Sequence, residues 1–186
     1  VNNISLSYYG GETALAAYAV IAYVAFFVQI MIQSVGDGSQ PLISVYRGAG
    51  DADAVRRLRN TNYLVAITFG FVGLGIMFVV RNAIPLLFGA SDIVTPVIAY
   101  ALPVFSICYI FYGFTHTTTS FFYAVDDSRS SNMLVIAEAI IVCVVVFVMG
   151  LLFQVDGIWF SPTVLQMLLC ILAGTLLYRR HKAHKE

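Results

Sequence analysis

The chain has 186 residues, of which 60% are hydrophobic and only 11% charged, and its acidic and basic side chains balance to a formal net charge of zero. An ordinary soluble domain is about 25% charged, and a mean hydropathy of +0.86 leaves too little polar surface to cover a water-soluble globule. Intrinsic disorder is excluded by the same composition.

The charged residues are bunched. Stretches free of Asp, Glu, Lys and Arg run between Glu12 and Asp37, Arg59 and Arg81, Asp92 and Asp126, and Asp156 and Arg179; a fifth, between Arg129 and Asp156, is interrupted only by Glu138. At 1.5 Å per residue about 20 residues cross a hydrocarbon core of roughly 30 Å, so each stretch is long enough to span a bilayer. The expected elements are an outer helix end over residues 1–10, whose beginning is expected upstream, and spans over 13–45, 61–80, 92–124, 132–153 and 161–178.

In chain order, Gly10-Gly11 opens the first full span, which meets Gly36-Asp37-Gly38 and Pro41 near its end, a combination that predicts a kink or local break. Residues 52–60 read as a short basic helix along the membrane surface. The 61–80 span carries Ala66, Gly70 and Gly73 on one face, small enough for a neighbouring helix to approach closely. Residues 84–88 read as a short interfacial helix, followed by a helix start at Ser91-Asp92. Pro96, Pro103 and Gly113 predict a kinked or tilted 92–124 span. Asp156-Gly157 forms an outer turn, with Trp159 and Phe160 at the outer membrane edge and Tyr178 at the inner one, as in an aromatic belt.

Charge sidedness fixes an expected orientation. Alternating back from the last span, Arg179, Arg180, Lys182 and Lys185 share a side with Arg129, Arg47, Arg56, Arg57 and Arg59, so that nine of the ten basic residues lie together and only Arg81 lies opposite. The positive-inside rule makes that side, and the C-terminus, cytoplasmic. The arginines at 56, 57 and 59 adjoin a span, so anionic lipid headgroups fit them better than nucleic acid does.

Chemistry-bearing residues are few. Tyr109, Tyr112, His116, Thr119 and Tyr123 recur at helical spacing on one face, and Tyr18, Ala22, Ala25, Gln29, Gln33 and Gly36 do so on another helix. A polar stripe in a span faces protein or a water-filled cavity rather than lipid. Two readings stand for each stripe: interhelical packing, or the lining of a cavity suited to bulky, amphipathic or cationic organic molecules. Glu138 is the one acid in the middle of its span, and an ionised carboxylate there must be neutralised, paired or watered. It is either a proton or cation site of the kind a coupled antiporter needs, or a structural group reaching the interface or pairing with Arg129. His116 is a candidate proton carrier or a satisfied packing residue. Asp37 caps broken backbone or meets a cation.

His181 and His184 read as solvated tail residues, and two histidines make a poor metal site. Cys108, Cys143 and Cys170 sit in separate apolar spans and read as packing residues. No metal site and no bound cofactor are expected. Dinucleotide, Walker, zinc-protease and nucleophile-elbow patterns are all missing, so the sequence carries no enzyme signature.

Several motifs in order, Gly11-Glu12 with Leu15-Ala16-Ala17-Tyr18, Gly38-Ser39-Gln40-Pro41-Leu42-Ile43-Ser44, Tyr46 with Gly48-Ala49-Gly50, Leu87-Phe88-Gly89 and Gly157-Ile158-Trp159-Phe160-Ser161, make the chain resemble the C-terminal half of a multidrug and toxic compound extrusion (MATE) transporter. The resemblance implies an all-α integral membrane fold, the six-helix lobe of a twelve-helix transporter with the first helix of the lobe truncated. It further implies a plasma-membrane, multi-pass antiporter that exports organic cations or amphiphilic drugs by alternating access, in exchange for protons or sodium. The drug cavity would lie between this lobe and an N-terminal lobe of the same chain. The tenth helix of that scheme holds His116 and no carboxylate, and Gln166 stands where an acid is expected; both depart from the family's pattern and leave Glu138, His116 and Asp37 as ion-coupling candidates, with Gln29, Gln33, Tyr109, Tyr112 and Thr119 as candidate cavity lining. The alternatives are a lipid-linked oligosaccharide flippase of the same superfamily, whose cavity should carry basic residues for a pyrophosphate, and a non-transporting membrane fragment.

Overall fold

The computed structural model describes residues 2–183, and all side chains in that range except those of His181 and Ala183. Val1, His184 and Lys185 lie outside the described residues, as does the His181 side chain. The described chain is helical almost throughout: α1 (Asn2–Gly48), α2 (Ala52–Val80), α3 (Ala83–Leu87), α4 (Thr95–Ser106), α5 (Cys108–Ala124) and α6 (Ser128–Ala183).

Two of these helices fold back on themselves. In α1 the only non-helical residue is Gly11, at φ 61 and ψ −158, a conformation that glycine adopts without a Cβ penalty. The short limb over 2–10 then runs antiparallel to the limb over 12–48, and the Asn2 amide donates to the Tyr18 hydroxyl at 3.1 Å. In α6 the reversal falls at Gln154, at φ 53 and ψ −129, two residues before the expected Asp156-Gly157 turn. The Gln166 amide consequently reaches Glu138 at 3.3 Å across the hairpin. Counting the limbs, helices long and apolar enough to cross a membrane run over 12–48, 52–80, 95–124, 128–153 and 155–180.

Both reversals lie at one end of the bundle: a Cβ on Gly10 would stand 3.0 Å from a Val155 methyl. At the opposite end, the Arg180 guanidinium donates to Asp127 at 2.9 Å and the Ser44 hydroxyl donates to the Ala124 carbonyl at 3.0 Å. Arg47, Arg56, Arg59 and Arg180 converge at this second end. The hydrophobic core has two centres to match. Leu6, Ile21, Leu102 and Trp159 pack towards the reversals, while Ile43, Phe122, Val125 and Leu134 pack beneath the arginines.

Three local expectations are corrected by the structure. The helix does not break at Gly36–Pro41. Its backbone stays helical to Gly48, and Gly36 is a packing position, where a Cβ would stand 2.8 Å from the Ser120 hydroxyl oxygen. Residues 52–60 are not a separate surface helix but the first turns of α2, whose start is capped by the Asp51 carboxylate accepting from the Ala54 N–H at 2.8 Å, with no glycine or proline before the span to interrupt it. Trp159 is no interfacial belt residue, for it is 1% exposed and packed near Tyr18, with ring centroids 6.3 Å apart. Phe160 and Tyr178 do stand on the surface.

The 92–124 span begins at Thr95 rather than at Ser91-Asp92, and it is divided at Ile107. Pro103 supplies no N–H to the carbonyl four residues before it, and the Ile107 N–H turns to the Val104 carbonyl at 3.4 Å, three residues back. This re-aims α5 and brings it against α2. A Cβ on Gly70 would lie 2.7 Å from the Tyr109 carbonyl oxygen, and one on Gly113 would lie 2.7 Å from that of Ala66. The small-residue face of α2 is thus the seat of α5.

Large apolar side chains cover the outside, among them Leu64, Val79, Ile140, Phe147, Leu152 and Ile171, each at least half exposed. So continuous an apolar exterior is a lipid-facing surface.

Candidate functional site

The two polar stripes face each other. The long limb of α1 lies along α5, and the Gln33 amide donates to the Tyr112 hydroxyl. One helical turn further, His116 Nε2 and Asp37 Oδ1 stand 3.1 Å apart, and the same carboxylate oxygen accepts from the Ser120 hydroxyl at 2.9 Å and the Gln40 amide at 3.1 Å. The Tyr112 ring stacks on the His116 imidazole, with centroids 5.7 Å apart and planes inclined by 29°. Both arrangements follow from the 3.6-residue repeat, which sets Tyr112, His116 and Ser120 one above another on α5 opposite Gln33, Gly36 and Asp37 on α1.

The third wall is α6. Thr115 donates its hydroxyl to the Gln166 carbonyl at 2.6 Å, and the Gln166 amide donates to Glu138 at 3.3 Å. A buried threonine, a buried glutamine and a carboxylate therefore form one chain of hydrogen bonds across the hairpin of α6 and onto α5. Glu138 does not pair with Arg129. The two are nine positions apart on one helix, about 13 Å along its axis, and the hairpin offers the nearer Gln166 instead.

Two cavities flank this seam. One, of about 300 Å³, is lined by Tyr18, Ala22, Ala25, Gln29, Ser161 and Gln166, and the other, of about 340 Å³, by Gln33, Thr115, His116, Thr119 and Tyr123. Tyr112 and Glu138 line both, so the carboxylate stands where the two spaces adjoin. No lysine or arginine lines either of them. Their walls offer hydroxyls, amides, aromatic faces and one carboxylate, groups suited to a neutral or cationic organic molecule.

Of the residues singled out from the sequence, Gln29, Gln33, Tyr112, Thr119, His116 and Glu138 lie on these cavities, and Asp37 adjoins them through His116 with its side chain 55% exposed. Tyr109 does not. It is fully buried and turned towards α2, with Gly73 beneath its ring. The stripe on α5 is wide enough to touch two neighbours, and its Tyr109 edge meets α2. Thr115, Ser120 and Gln166 belong to the seam although sequence reasoning did not place them there. Their spacing was the available signal, since Ser120 follows His116 by four residues and Gln166 follows the buried Trp159 by seven.

The MatE family model matches residues 1–149. Among curated relatives, the "Multidrug export protein MepA" of Staphylococcus haemolyticus (strain JCSC1435) is 22% identical over 178 residues, which cover 96% of this chain and 39% of the relative. This chain thus spans about two fifths of that protein's length. No solved structure gives a significant match. With most of its length matched by the family model, and with apolar helices that cross the bilayer several times, this multi-pass membrane chain belongs to the MatE family.

Proposed function

We propose that this chain is a six-helix lobe of a secondary transporter that exports cationic or amphiphilic organic molecules by alternating access, in exchange for protons or sodium, with Glu138 as the group whose charge state is coupled to transport. The observation that carries this reading is the setting of Glu138: a carboxylate inside a span, shared by two cavities, hydrogen-bonded to the neutral amide of Gln166 and to no lysine or arginine among the described residues. A fixed cation beside it would hold it ionised, whereas an amide accommodates either charge state. Membership of the MatE family and the name of the staphylococcal relative support export as the direction of transport.

His116 and Asp37 form a second ionisable pair one layer nearer the arginine-rich end. The positive-inside rule supports placing that end, with the C-terminus, in the cytoplasm of a cell whose plasma membrane holds the protein. The remaining half of the substrate path would come from a second lobe of the same protein. A pyrophosphate-handling flippase is less well supported, since neither cavity along the seam has a basic wall.

The test is a Glu138→Gln change in the full-length protein, assayed in inside-out vesicles. Efflux driven by an imposed pH or sodium gradient is expected to fall to background, while equilibrium binding of a fluorescent organic cation persists. Unchanged gradient-driven efflux removes Glu138 from the coupling mechanism. Loss of cation binding together with efflux makes it part of the substrate site instead.

A further inference from the structure

A cavity larger than either of those on the polar seam lies elsewhere in the lobe. It measures about 610 Å³ and opens at the arginine-rich end, between the start of α2, the end of α5 and the last turns of α6. Arg47, Arg56, Arg59 and Arg180 line it, and no aspartate or glutamate does. These side chains come from three separate elements. Arg56 and Arg59 are three apart on α2 and so share one of its faces. Arg47 ends α1 and is turned towards α2 by the tight connection through Gly50, at φ 75. Arg180 arrives from α6.

Like charges gathered in one space repel each other, and the chain supplies little to offset them. The Asp127 carboxylate engages Arg180 at 2.9 Å. Arg47, Arg56 and Arg59 have no acidic partner within 4.0 Å among the described residues. Arg59 and Arg180 instead stand over the ring of the cavity's Phe121, 5.4 and 5.9 Å from its centroid, and Arg59 also donates to the neutral Asn60 side chain at 3.1 Å. That fixes their positions without neutralising them. Planar guanidinium forks brought together in this way match the oxygens of a phosphate.

Most of the remaining wall is apolar, formed by Val55, Val125 and Leu177 with the Phe121 ring, and Tyr63 and Tyr178 complete it. A free inorganic anion makes no use of such a wall. A phosphate carried on a hydrocarbon chain uses both parts, and a site at the end of several spans is at headgroup depth. We propose that this cavity binds an anionic phospholipid, its phosphate held by Arg47, Arg56 and Arg59 and the start of an acyl chain lying against Val55, Val125 and Leu177. The site lies apart from Glu138 and both seam cavities, and its occupancy does not depend on the transport reading.

Helix α2 contains its own control. Arg57 stands on the opposite face, beside Asp51 and Asp53, so Arg57→Gln removes the same charge from the same helix without touching the cavity. The experiment uses the full-length protein in neutral detergent, titrated with a short-chain phosphatidylglycerol, with phosphatidylcholine of equal chain length, and with sodium phosphate alone; bound lipid is counted by native mass spectrometry. Phosphatidylglycerol is expected to be retained at one molecule per chain and phosphatidylcholine to be lost. Arg56→Gln with Arg59→Gln should weaken phosphatidylglycerol about 25-fold, about fivefold for each arginine near an anionic headgroup, while Arg57→Gln leaves it unchanged.

Equal retention of the two lipids overturns the proposal without recourse to any variant, as does an equal loss in Arg57→Gln, which would mark a diffuse surface-charge effect. Displacement of the lipid by sodium phosphate at matching concentration would assign the site to a free anion and likewise overturn it.

Discussion

The contact between α2 and α5 can be tested one methyl group at a time, because four glycines differ in what a Cβ would meet. At Gly70 the new carbon would stand 2.7 Å from the Tyr109 carbonyl oxygen and 2.9 Å from Ile110 Cα; at Gly113 it would stand 2.7 Å from the Ala66 carbonyl oxygen. Those neighbours are backbone of the facing helix, and ordinary contacts begin at 3.4 Å, so the helices must separate by several tenths of an ångström. At Gly73 the obstacle is a methyl of Val28 at 2.7 Å, a side chain that can turn aside, and at Gly75 nothing lies within 4 Å.

Overpacking of this kind costs about 1–3 kcal/mol, and alanine recovers up to about 1 kcal/mol of helix propensity over glycine. Gly70→Ala and Gly113→Ala should therefore lose about 1–2 kcal/mol, Gly73→Ala should sit near neutral, and Gly75→Ala should gain up to about 1 kcal/mol. Thermal unfolding of the purified full-length protein in one detergent, followed by reactivity of the buried Cys108 thiol, ranks the four. A Gly70→Ala protein as stable as Gly75→Ala would mean that α2 and α5 do not touch backbone to backbone, and the packing described for the whole lobe would be wrong.

Two further predictions concern the two ends of the α6 hairpin. Burial works against ionisation of Asp127, but the backbone and hydroxyl of Ser130 together with Arg180 outweigh it and hold the carboxyl below its ordinary 3.8. The stabilisation is thus present above that value and is lost as pH falls through the lower folded one. Wild type and Asp127→Asn should differ by about 0.5–1 kcal/mol at pH 6 and converge below pH 3.8; a gap that widens in acid would refute the linkage. At the other end, Gln154 occupies a φ of 53 that costs a non-glycine residue about 1–3 kcal/mol. Gln154→Gly should raise the unfolding temperature, and a lowered one would mean that the Gln154 side chain contributes more than its backbone strain costs.

The transmembrane architecture was legible because lipid leaves so few choices. An uncharged run of sufficient length must be a helix, and basic residues must collect at one end. The two stripes were legible for a related reason, since polar side chains in a span have to find protein. What periodicity does not specify is which neighbour a face meets. Tyr109 and Tyr112 lie three residues apart on one stripe, yet the first packs on Gly73 of α2 and the second reaches Gln33 of α1. Gly36 and Pro41 read as breakers in isolation, but close approach of Ser120 gives Gly36 a packing role within a continuous helix. The place of Trp159 in the chain points to the interface, whereas the hairpin at Gln154 turns it inward against Tyr18.

Three acids of this lobe differ in the kind of partner they have, and the difference follows their place along the spans. Asp127, in a turn at the arginine-rich end, is held by a guanidinium at 2.9 Å, a partner that cannot give up its proton and therefore locks the pair in one charge state. Within the spans, at exposed positions of the lobe, Glu138 meets an amide, and Asp37 meets an imidazole, a hydroxyl and an amide. Amides and hydroxyls can both donate and accept, and an imidazole offers two ring nitrogens to its neighbours. The network around these two carboxylates can therefore remain hydrogen-bonded whether or not a proton or a cation is present. An arginine in place of Gln166 would satisfy Glu138 more strongly and would abolish that freedom. This is the physical reason to look for coupling at Glu138 and for a purely structural clamp at Asp127.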